Sequence, residues 1–285
     1  MARYDVGGKV ALITGGARGI GLGVAEALVA RGGSVALVDV QADGVAESAE
    51  RLGSDRAIGL TADVTKVEEI ERAVGATVER FGGVDILVAN AGIAPTPAPM
   101  RVMDAAEFER VVEVDLLGVY RTVRAGMDQI VARHGQAVLV ASVYAFLNGT
   151  MLSPYAVAKA GVEQLGRALR LELSIHGASA TVAYFGFVDT EMVRQAIEQR
   201  RRAGVGEEDE VLPEFMRRPI TPRQAGEAVA RGVEQRRPRV IAPRYWTVMS
   251  VLRGILNPAM DYAGTRIEKL QDIVREADRD GLRPS

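Results

Sequence analysis

Short runs of β-branched and apolar residues alternate with longer amphipathic stretches along most of the chain, and this rhythm persists as far as Ala242. A brief apolar run bounded by turn residues reads as a buried strand, and a stretch with a period near 3.6 reads as a helix lying across it. The pattern predicts strands at Val10–Thr14, Ser34–Asp39, Ala57–Thr61, Ile86–Ala89, Ala137–Ser142, Thr181–Phe185 and Arg239–Ala242. It predicts helices at Gly19–Arg31, Lys66–Phe81, Asp104–Arg133, Pro154–Ile175, Pro222–Arg236 and Asp261–Arg279. Strands and helices that alternate in this way build a parallel sheet with helices on both faces. The expected fold is α/β, one doubly wound domain over residues 1–242 with a seven-stranded parallel sheet. A C-terminal helical extension at 243–285 is expected to pack on the same domain.

Two segments break the rhythm. Gln195–Pro219 carries Arg200, Arg201 and Arg202, then Glu207, Glu208, Asp209 and Glu210, then prolines. Charge runs usually mark a solvated face. This one follows the sixth strand on the side where open α/β sheets bind ligands, so a lid over about 190–220 is expected. The second segment, Tyr245–Leu256, leaves a broad apolar face, and Arg253 and its short length argue against a membrane span. Packing against the core or a subunit is the expectation there, with a greasy substrate entrance or membrane contact as the other reading.

Composition narrows the function classes. The 285 residues are 48% hydrophobic and 25% charged, enough for a substantial core. A net charge of −2 gives no reason to expect nucleic acid or an anionic membrane as partner. There are no cysteines, so a disulfide framework and a thiolate metal site are excluded. The opening residues lack the apolar stretch of a signal peptide, and no apolar run approaches the ~18 residues of a membrane span. A soluble cytoplasmic protein is expected. His134 and His176 lie near predicted helix C-termini, where partial positive charge is favourable, and no metal site is expected of them.

Two constellations carry chemistry. The first is Thr14-Gly15-Gly16-Ala17-Arg18-Gly19-Ile20-Gly21, between a buried-type strand and a helix. Glycines there let the backbone approach a pyrophosphate, and free N–H groups with the helix dipole favour its charge. The spacing is Gly-x-x-x-Gly-x-Gly, not the generic dinucleotide Gly-x-Gly-x-x-Gly. The second strand ends in Asp39, 20 positions beyond Gly19. A carboxylate at that point accepts ribose hydroxyls of NAD and repels the 2′-phosphate of NADP; the plainer alternative is a polar residue ending a strand. Arg18 pulls the other way, since a guanidinium in the turn attracts a 2′-phosphate.

The second constellation is Ser142, Tyr155 and Lys159. Pro154 and Tyr155 open a helix with Ser153 as the expected N-cap, which puts Tyr155 and Lys159 one turn apart on one face. Free tyrosine, with a pKa near ~10, is a poor base at neutral pH. A nearby ammonium stabilises phenolate and brings the group toward working range. Ser142, at the end of the fifth strand, is placed to donate a hydrogen bond to a substrate oxygen. Asp115 falls on the apolar face drawn by Phe108, Val111, Val112, Leu116, Val119 and Val123, where a carboxylate is costly unless paired. Lys159 is the partner it would have. Tyr144 and Tyr184 flank strand ends nearby, and either lines a pocket or fills the core.

Together these residues resemble the short-chain dehydrogenase/reductase family over roughly Lys9 to Ala242. The resemblance implies a Rossmann-type fold and an NAD-dependent oxidoreductase interconverting a secondary alcohol and a ketone, with Ser142, Tyr155 and Lys159 as the active site. Ala89-Asn90-Ala91-Gly92 resembles the family's Asn-Asn-Ala-Gly element with Ala89 for the first Asn, which makes Asn90 and Gly92 cofactor residues. Asp63-Val64 matches the pair at the adenine ring. Gly186 and Thr190 fit the family's Pro-Gly…Thr element with Phe185 for the proline, and by resemblance Val188 and Thr190 contact the nicotinamide end. The family commonly has Asn where this chain has Asp115, completing a tetrad through a backbone carbonyl. The resemblance also implies a homodimer or homotetramer through the helices at Asp104–Arg133 and Pro154–Ile175. Phe146, Leu147, Met151, Leu152, Phe187 and Tyr245–Leu256 point to an apolar pocket for a lipophilic or cyclic substrate. The alternative is a non-catalytic dinucleotide-binding or scaffold protein on the same fold.

Overall fold

Strands buried on both faces need continuous apolar runs, and the chain supplies them in β1 (Val10–Thr14), β4 (Ile86–Ala89), β5 (Gln136–Ser142) and β6 (Ser179–Phe185), buried at every position. In the computed structural model, which describes residues 3–202 and 214–280, these join β2 (Ser34–Asp39), β3 (Ala57–Thr61) and β7 (Arg239–Ala242) in one parallel sheet. Among the described residues its order is β3-β2-β1-β4-β5-β6-β7. The order reverses between β1 and β4, and the crevice beyond the carboxyl ends of these strands is where such sheets bind ligands. β5 and β6 start one and two residues earlier than the pattern predicts, because Gln136 and Ser179 pair with each other at the foot of the sheet.

Helices α1 (Gly19–Val29), α2 (Ala42–Leu52) and α3 (Val67–Phe81) follow the first three strands. Helix α2 is absent from the hydrophobic reading. It is amphipathic, and its buried face is made of Val45, Ser48 and Ala49. The predicted helix Asp104–Arg133 is broken into α4 (Ala105–Val112) and α5 (Gly118–Ala132) by a π-helical turn at Glu113–Leu117. The widened turn carries Asp115, and π-turns of this kind insert an extra residue and shift the faces on either side. Asp104 caps α4 by accepting from the Ala106 N–H at 3.1 Å.

Helix α6 (Ser153–Ser174) carries proline in its first turn, as expected. Ser153 is not its N-cap: it is the first helical residue, and its hydroxyl faces Met100 Sδ at 3.7 Å. Beyond β6 come α7 (Glu191–Arg202), α8 (Glu214–Arg217) and α9 (Pro222–Glu234), the last opened by a capping box between Thr221 and Gln224. The acidic run over 207–210 lies outside the described residues. α10 (Trp246–Gly264) and α11 (Glu268–Asp280) end the described chain. The helix expected from Asp261 therefore begins later, because α10 runs through Pro258 to Gly264 at the loss of one backbone bond. None of the helices of the described residues is long and apolar enough to cross a membrane.

Candidate active site

The glycine turn is shaped by what a side chain would strike. Gly15 and Gly19 have φ of +65° and +59°, a left-handed conformation that glycine adopts without strain. A Cβ on Gly21 would lie 2.2 Å from the Gly15 carbonyl oxygen. The turn is braced from β4: the Asn90 side-chain amide donates to the Thr14 and Gly15 carbonyls at 2.9 and 3.1 Å. The Asn90 backbone N–H donates to Thr14 Oγ1 at 3.1 Å. Asp39 closes the other side, accepting from the Ala17 and Gln41 N–H groups at 3.1 Å each.

This turn forms one end of a groove of about 700 Å³ that runs across the switch point. Gly15, Arg18, Gly19, Ile20, Asp39, Asp63, Val64, Asn90 and Gly92 line it, as do Val188 and Thr190, the latter beside Gly19. Gly21 is the exception: it faces inward onto the Gly15 carbonyl and does not line the groove. Its absent side chain allows the turn to close. Arg18 does not stand free beside Asp39. Its guanidinium pairs with Glu191 at the start of α7. The Phe185–Thr190 stretch is pinned by Ile220, whose carbonyl accepts from the Asp189 N–H at 2.9 Å.

Ser142, Tyr155, Lys159 and Asp115 meet at the middle of the groove. Ser142 ends β5 and is 6% exposed; its hydroxyl accepts from the Tyr144 N–H at 3.3 Å and lies 3.4 Å from the Phe185 carbonyl. Lys159 Nζ lies 5.3 Å from the centre of the Tyr155 ring. Asp115 and Lys159 are 1% and 4% exposed, and their charged atoms are 3.0 Å apart. The other Asp115 oxygen accepts from the Ile93 N–H at 2.7 Å.

Charges in this dry cluster move one another. Burial raises the Asp115 carboxyl, against the pull of Lys159 and the Ile93 N–H. Burial alone would lower Lys159, but the charges of Asp115 and Tyr155 outweigh it and hold the ammonium above its ordinary value. Burial raises the Tyr155 phenol; Lys159 and a Ser142 hydrogen bond oppose that rise, and Asp115 and Tyr144 add to it. Asp115 and Tyr155 thus share one cation.

Beside the cluster opens a second, smaller pocket of about 110 Å³. Leu147, Leu152, Phe187 and Trp246 form walls of it, with Ser142 and Tyr155 at its inner end. Helix α7 contributes Met192, Val193, Ala196 and Ile197. No charged side chain lines it among the described residues.

Residues 9–201 match the family described as short chain dehydrogenase. The chain belongs to the short-chain dehydrogenase family. It is 36% identical over 199 residues to the 3-oxoacyl-(acyl-carrier-protein) reductase FabG of Escherichia coli (strain K12), covering 70% of this chain and 80% of that one. It is 35% identical over 188 residues to a cis-4-hydroxycyclohexanecarboxylate dehydrogenase of Sinomonas cyclohexanicum, covering 65% and 75%. Among solved structures, levodione reductase superposes with a TM-score of 0.75 at 29% identity, over 83% of this chain and 96% of that one. A 3-ketoacyl-(acyl-carrier-protein) reductase from Brucella melitensis complexed with NADH gives 0.72 at 28%, over 83% and 97%. The chain is thus an oxidoreductase of this family with a nicotinamide-dinucleotide fold.

Several sequence readings of this short-chain dehydrogenase divide on the structure. Tyr144 lines the pocket and meets Tyr155 edge-on at 6.0 Å, whereas Tyr184 is a core residue whose ring packs at a tilt against Phe146. Phe146 and Met151, expected to line the pocket, are buried away from it. In Tyr245–Leu256 only Trp246 reaches it; Val248, Val251, Leu252 and Ile255 face solvent, because the helix turns its other side inward. His134 Nδ1 contacts the His176 carbonyl at 2.7 Å, well apart from these residues. The α7 wall is not evident from the sequence. Met192, Val193, Ala196 and Ile197 do fall on one helical face, but the arginines that follow give the segment the look of a loop.

Proposed function

We propose that this chain is an NAD-dependent dehydrogenase that interconverts a neutral, lipophilic or cyclic secondary alcohol and its ketone. The observation that carries this is the meeting of Ser142, Tyr155 and Lys159 where the glycine-lined groove joins an uncharged pocket. The glycine cradle fits a dinucleotide: a side chain on Gly15 would lie 2.9 Å from Ala91 Cα, and none is present. Gly15, Gly19 and Ile20 would hold the pyrophosphate, Asp39 the adenosine ribose, Asp63 and Val64 the adenine, and Asn90, Gly92, Val188 and Thr190 the remainder. A bound nicotinamide supplies the hydride acceptor or donor. Two observations support NAD over NADP: the Brucella melitensis reductase is complexed with NADH, and Arg18 is paired with Glu191.

In oxidation Tyr155 takes the proton of the carbinol oxygen, and in reduction it returns it. Lys159 favours the phenolate and would hold the nicotinamide ribose of a bound cofactor. Ser142 donates to the substrate oxygen; its present bond to Phe185 is long at 3.4 Å, so redirecting it costs little. Asp115 holds Lys159 in place. In the stretch expected to form a lid, helix α7 walls the pocket and excludes water from it. The domain over 1–242 carries the cofactor groove and the catalytic residues, and the enzyme works in the cytoplasm. It assembles as a homodimer or homotetramer through α5 and α6, a reading supported by the exposure of Leu117, Tyr120, Val157 and Leu171 on and beside these helices.

The test is reduced-cofactor formation with NAD and NADP across small, cyclic, terpenoid and steroid secondary alcohols. Turnover with NAD is expected, and Tyr155→Phe is expected to lower kcat by about 10²–10⁴-fold with NADH binding intact. A Tyr155→Phe enzyme as active as the parent would refute the mechanism. NADP preferred over NAD would refute the role of Asp39. Silence in every combination, with NADH still bound, would favour the non-catalytic reading.

A further inference from the structure

The family match ends at residue 201, and the two helices after β7 lie beyond it. Arg253 of α10 pairs with Glu163 of α6 at 2.7 and 2.8 Å, and other inward contacts go to the loops around the small pocket. Trp246, at the start of α10 and 1% exposed, lines it and packs against Gly186, where a Cβ would lie 2.3 Å from the indole nitrogen. Further along α10, the Asn257 side-chain amide donates to the Phe146 carbonyl at 2.7 Å. Asp261 accepts from the Asn148 amide at 3.0 Å. Both bonds hold the loop that carries Leu147 and Leu152 into the pocket. α11 holds that loop and its neighbour: Ile273 packs on Met151, and Asp278 takes the Arg101 guanidinium in a forked ion pair.

The rim loops have no regular structure of their own, and such segments are mobile unless tied. The Ala98 N–H donates to the Met151 carbonyl at 3.0 Å, joining the two. Met151 itself sits at φ 62°, a left-handed conformation that a residue with a side chain keeps only where its surroundings impose it. Its surroundings here are α11 and the neighbouring loop. The pocket, open toward the groove, offers about 110 Å³, of the same order as the ~150 Å³ apolar cavity that admits one benzene ring.

We propose that residues 243–280 are a specificity arm: Trp246 ends the substrate pocket at the length of one six-membered ring, and Asn257, Asp261 and Asp278 hold the rim loops at that size. Trp246 is the specificity-determining residue, and the other three are positioning residues. This rests on reading the pocket as the alcohol site, so its test must separate the two.

The experiment compares cyclohexanol with the bicyclic 2-decalol. For each, kcat/KM is measured with NAD, and affinity for the NADH-loaded enzyme is measured by calorimetry. Trp246→Ala is expected to raise the decalol-to-cyclohexanol ratio at least ~10-fold in both measurements, since a single methylene in an apolar pocket already alters discrimination by ~10-fold or more. Trp246→Phe, a milder truncation that keeps an aromatic ring, moves the ratio the same way by less and replaces the alanine variant if that does not fold. Asp278→Arg is expected to raise the cyclohexanol KM several-fold with kcat nearly unchanged, and adding Arg101→Asp to restore it. An unchanged ratio in a folded Trp246 variant, or a KM that ignores the charge reversal, overturns the proposal. Wild-type binding of neither alcohol also overturns it. Binding that shifts as expected without turnover in the wild type would sustain the arm and refute the reaction.

Discussion

A carboxylate at position 115 changes what the catalytic tyrosine feels. Asp115 touches Lys159 at 3.0 Å in a site nearly closed to water, so its charge raises the Tyr155 phenol and draws on the cation that would lower it. Asp115→Asn removes that charge and keeps an oxygen for the Ile93 N–H. Oxidation needs the phenolate, so its rate rises with pH through the Tyr155 pKa. In Asp115→Asn that rise moves to lower pH, and in the reducing direction the fall moves to lower pH as well. A pH–rate profile in each direction measures both, and profiles that coincide with the parent's would refute the coupling. Asp115→Ala is a harsher change, because it leaves a buried ammonium unpaired at a cost of about 3–5 kcal/mol. Part of this was legible in the chain: Asp115 stands on an apolar face where only a paired carboxylate survives. The pairing of Arg18 with Glu191 was not, since those residues are far apart in sequence and only the fold joins them.

Elements were legible where their pattern was strong. Strands buried on both faces announce themselves by unbroken apolar runs, and all seven were readable to within two residues. The π-helical turn at Glu113–Leu117 was not, because a single widened turn leaves no period of its own, and helix α2, amphipathic but with a buried face of small residues, was passed over. Close helix packing is likewise invisible to hydrophobicity. α1 and α9 meet backbone to backbone: a Cβ on Gly226 would lie 1.9 Å from the Gly23 carbonyl oxygen, and one on Gly23 would lie 2.2 Å from the Pro222 carbonyl oxygen. Backbone cannot swing aside as a side chain can. Gly226→Ala is therefore expected to destabilise by about 1–3 kcal/mol, as overpacked cores do, lowering Tm by roughly 3–10 °C. Gly75→Ala, in the middle of α3 with nothing within 4 Å of the added carbon, is expected to stabilise by about 0.5–1 kcal/mol. Thermal melts of the two variants check the contrast. A Gly226→Ala melt equal to the parent's would mean that the two helices are not this close.

At the scale of the molecule, the sheet separates two apolar layers, and Tyr184 is the largest hydroxyl-bearing side chain fully enclosed in either of them. It lies 5.8 Å from Phe146 by ring centres, in the layer that also receives Trp246 from the C-terminal arm. Burial pushes its phenol up to about 12, and the charge of Glu163 adds to this while Arg253 opposes it. An unfolded chain ionises the same group near ~10. Folding therefore favours the protonated form: its contribution is intact below about pH 10 and is lost as pH rises toward 12, where the folded phenol ionises too. A difference of about two pKa units corresponds to roughly 2–3 kcal/mol for a group this enclosed. Tyr4 is pushed to about 12 by burial as well, so the two add in the same window. Denaturant unfolding between pH 8 and 11.5 is expected to show the wild type losing stability above pH 10. Tyr184→Phe has no proton to lose at this position, so it should lose clearly less stability than the wild type, with Tyr4 and the buried Tyr155 among the groups that supply the rest. If Tyr184→Phe falls as steeply as the parent, the alkaline loss arises elsewhere, and the Tyr184 phenol does not distinguish the folded chain from the unfolded one.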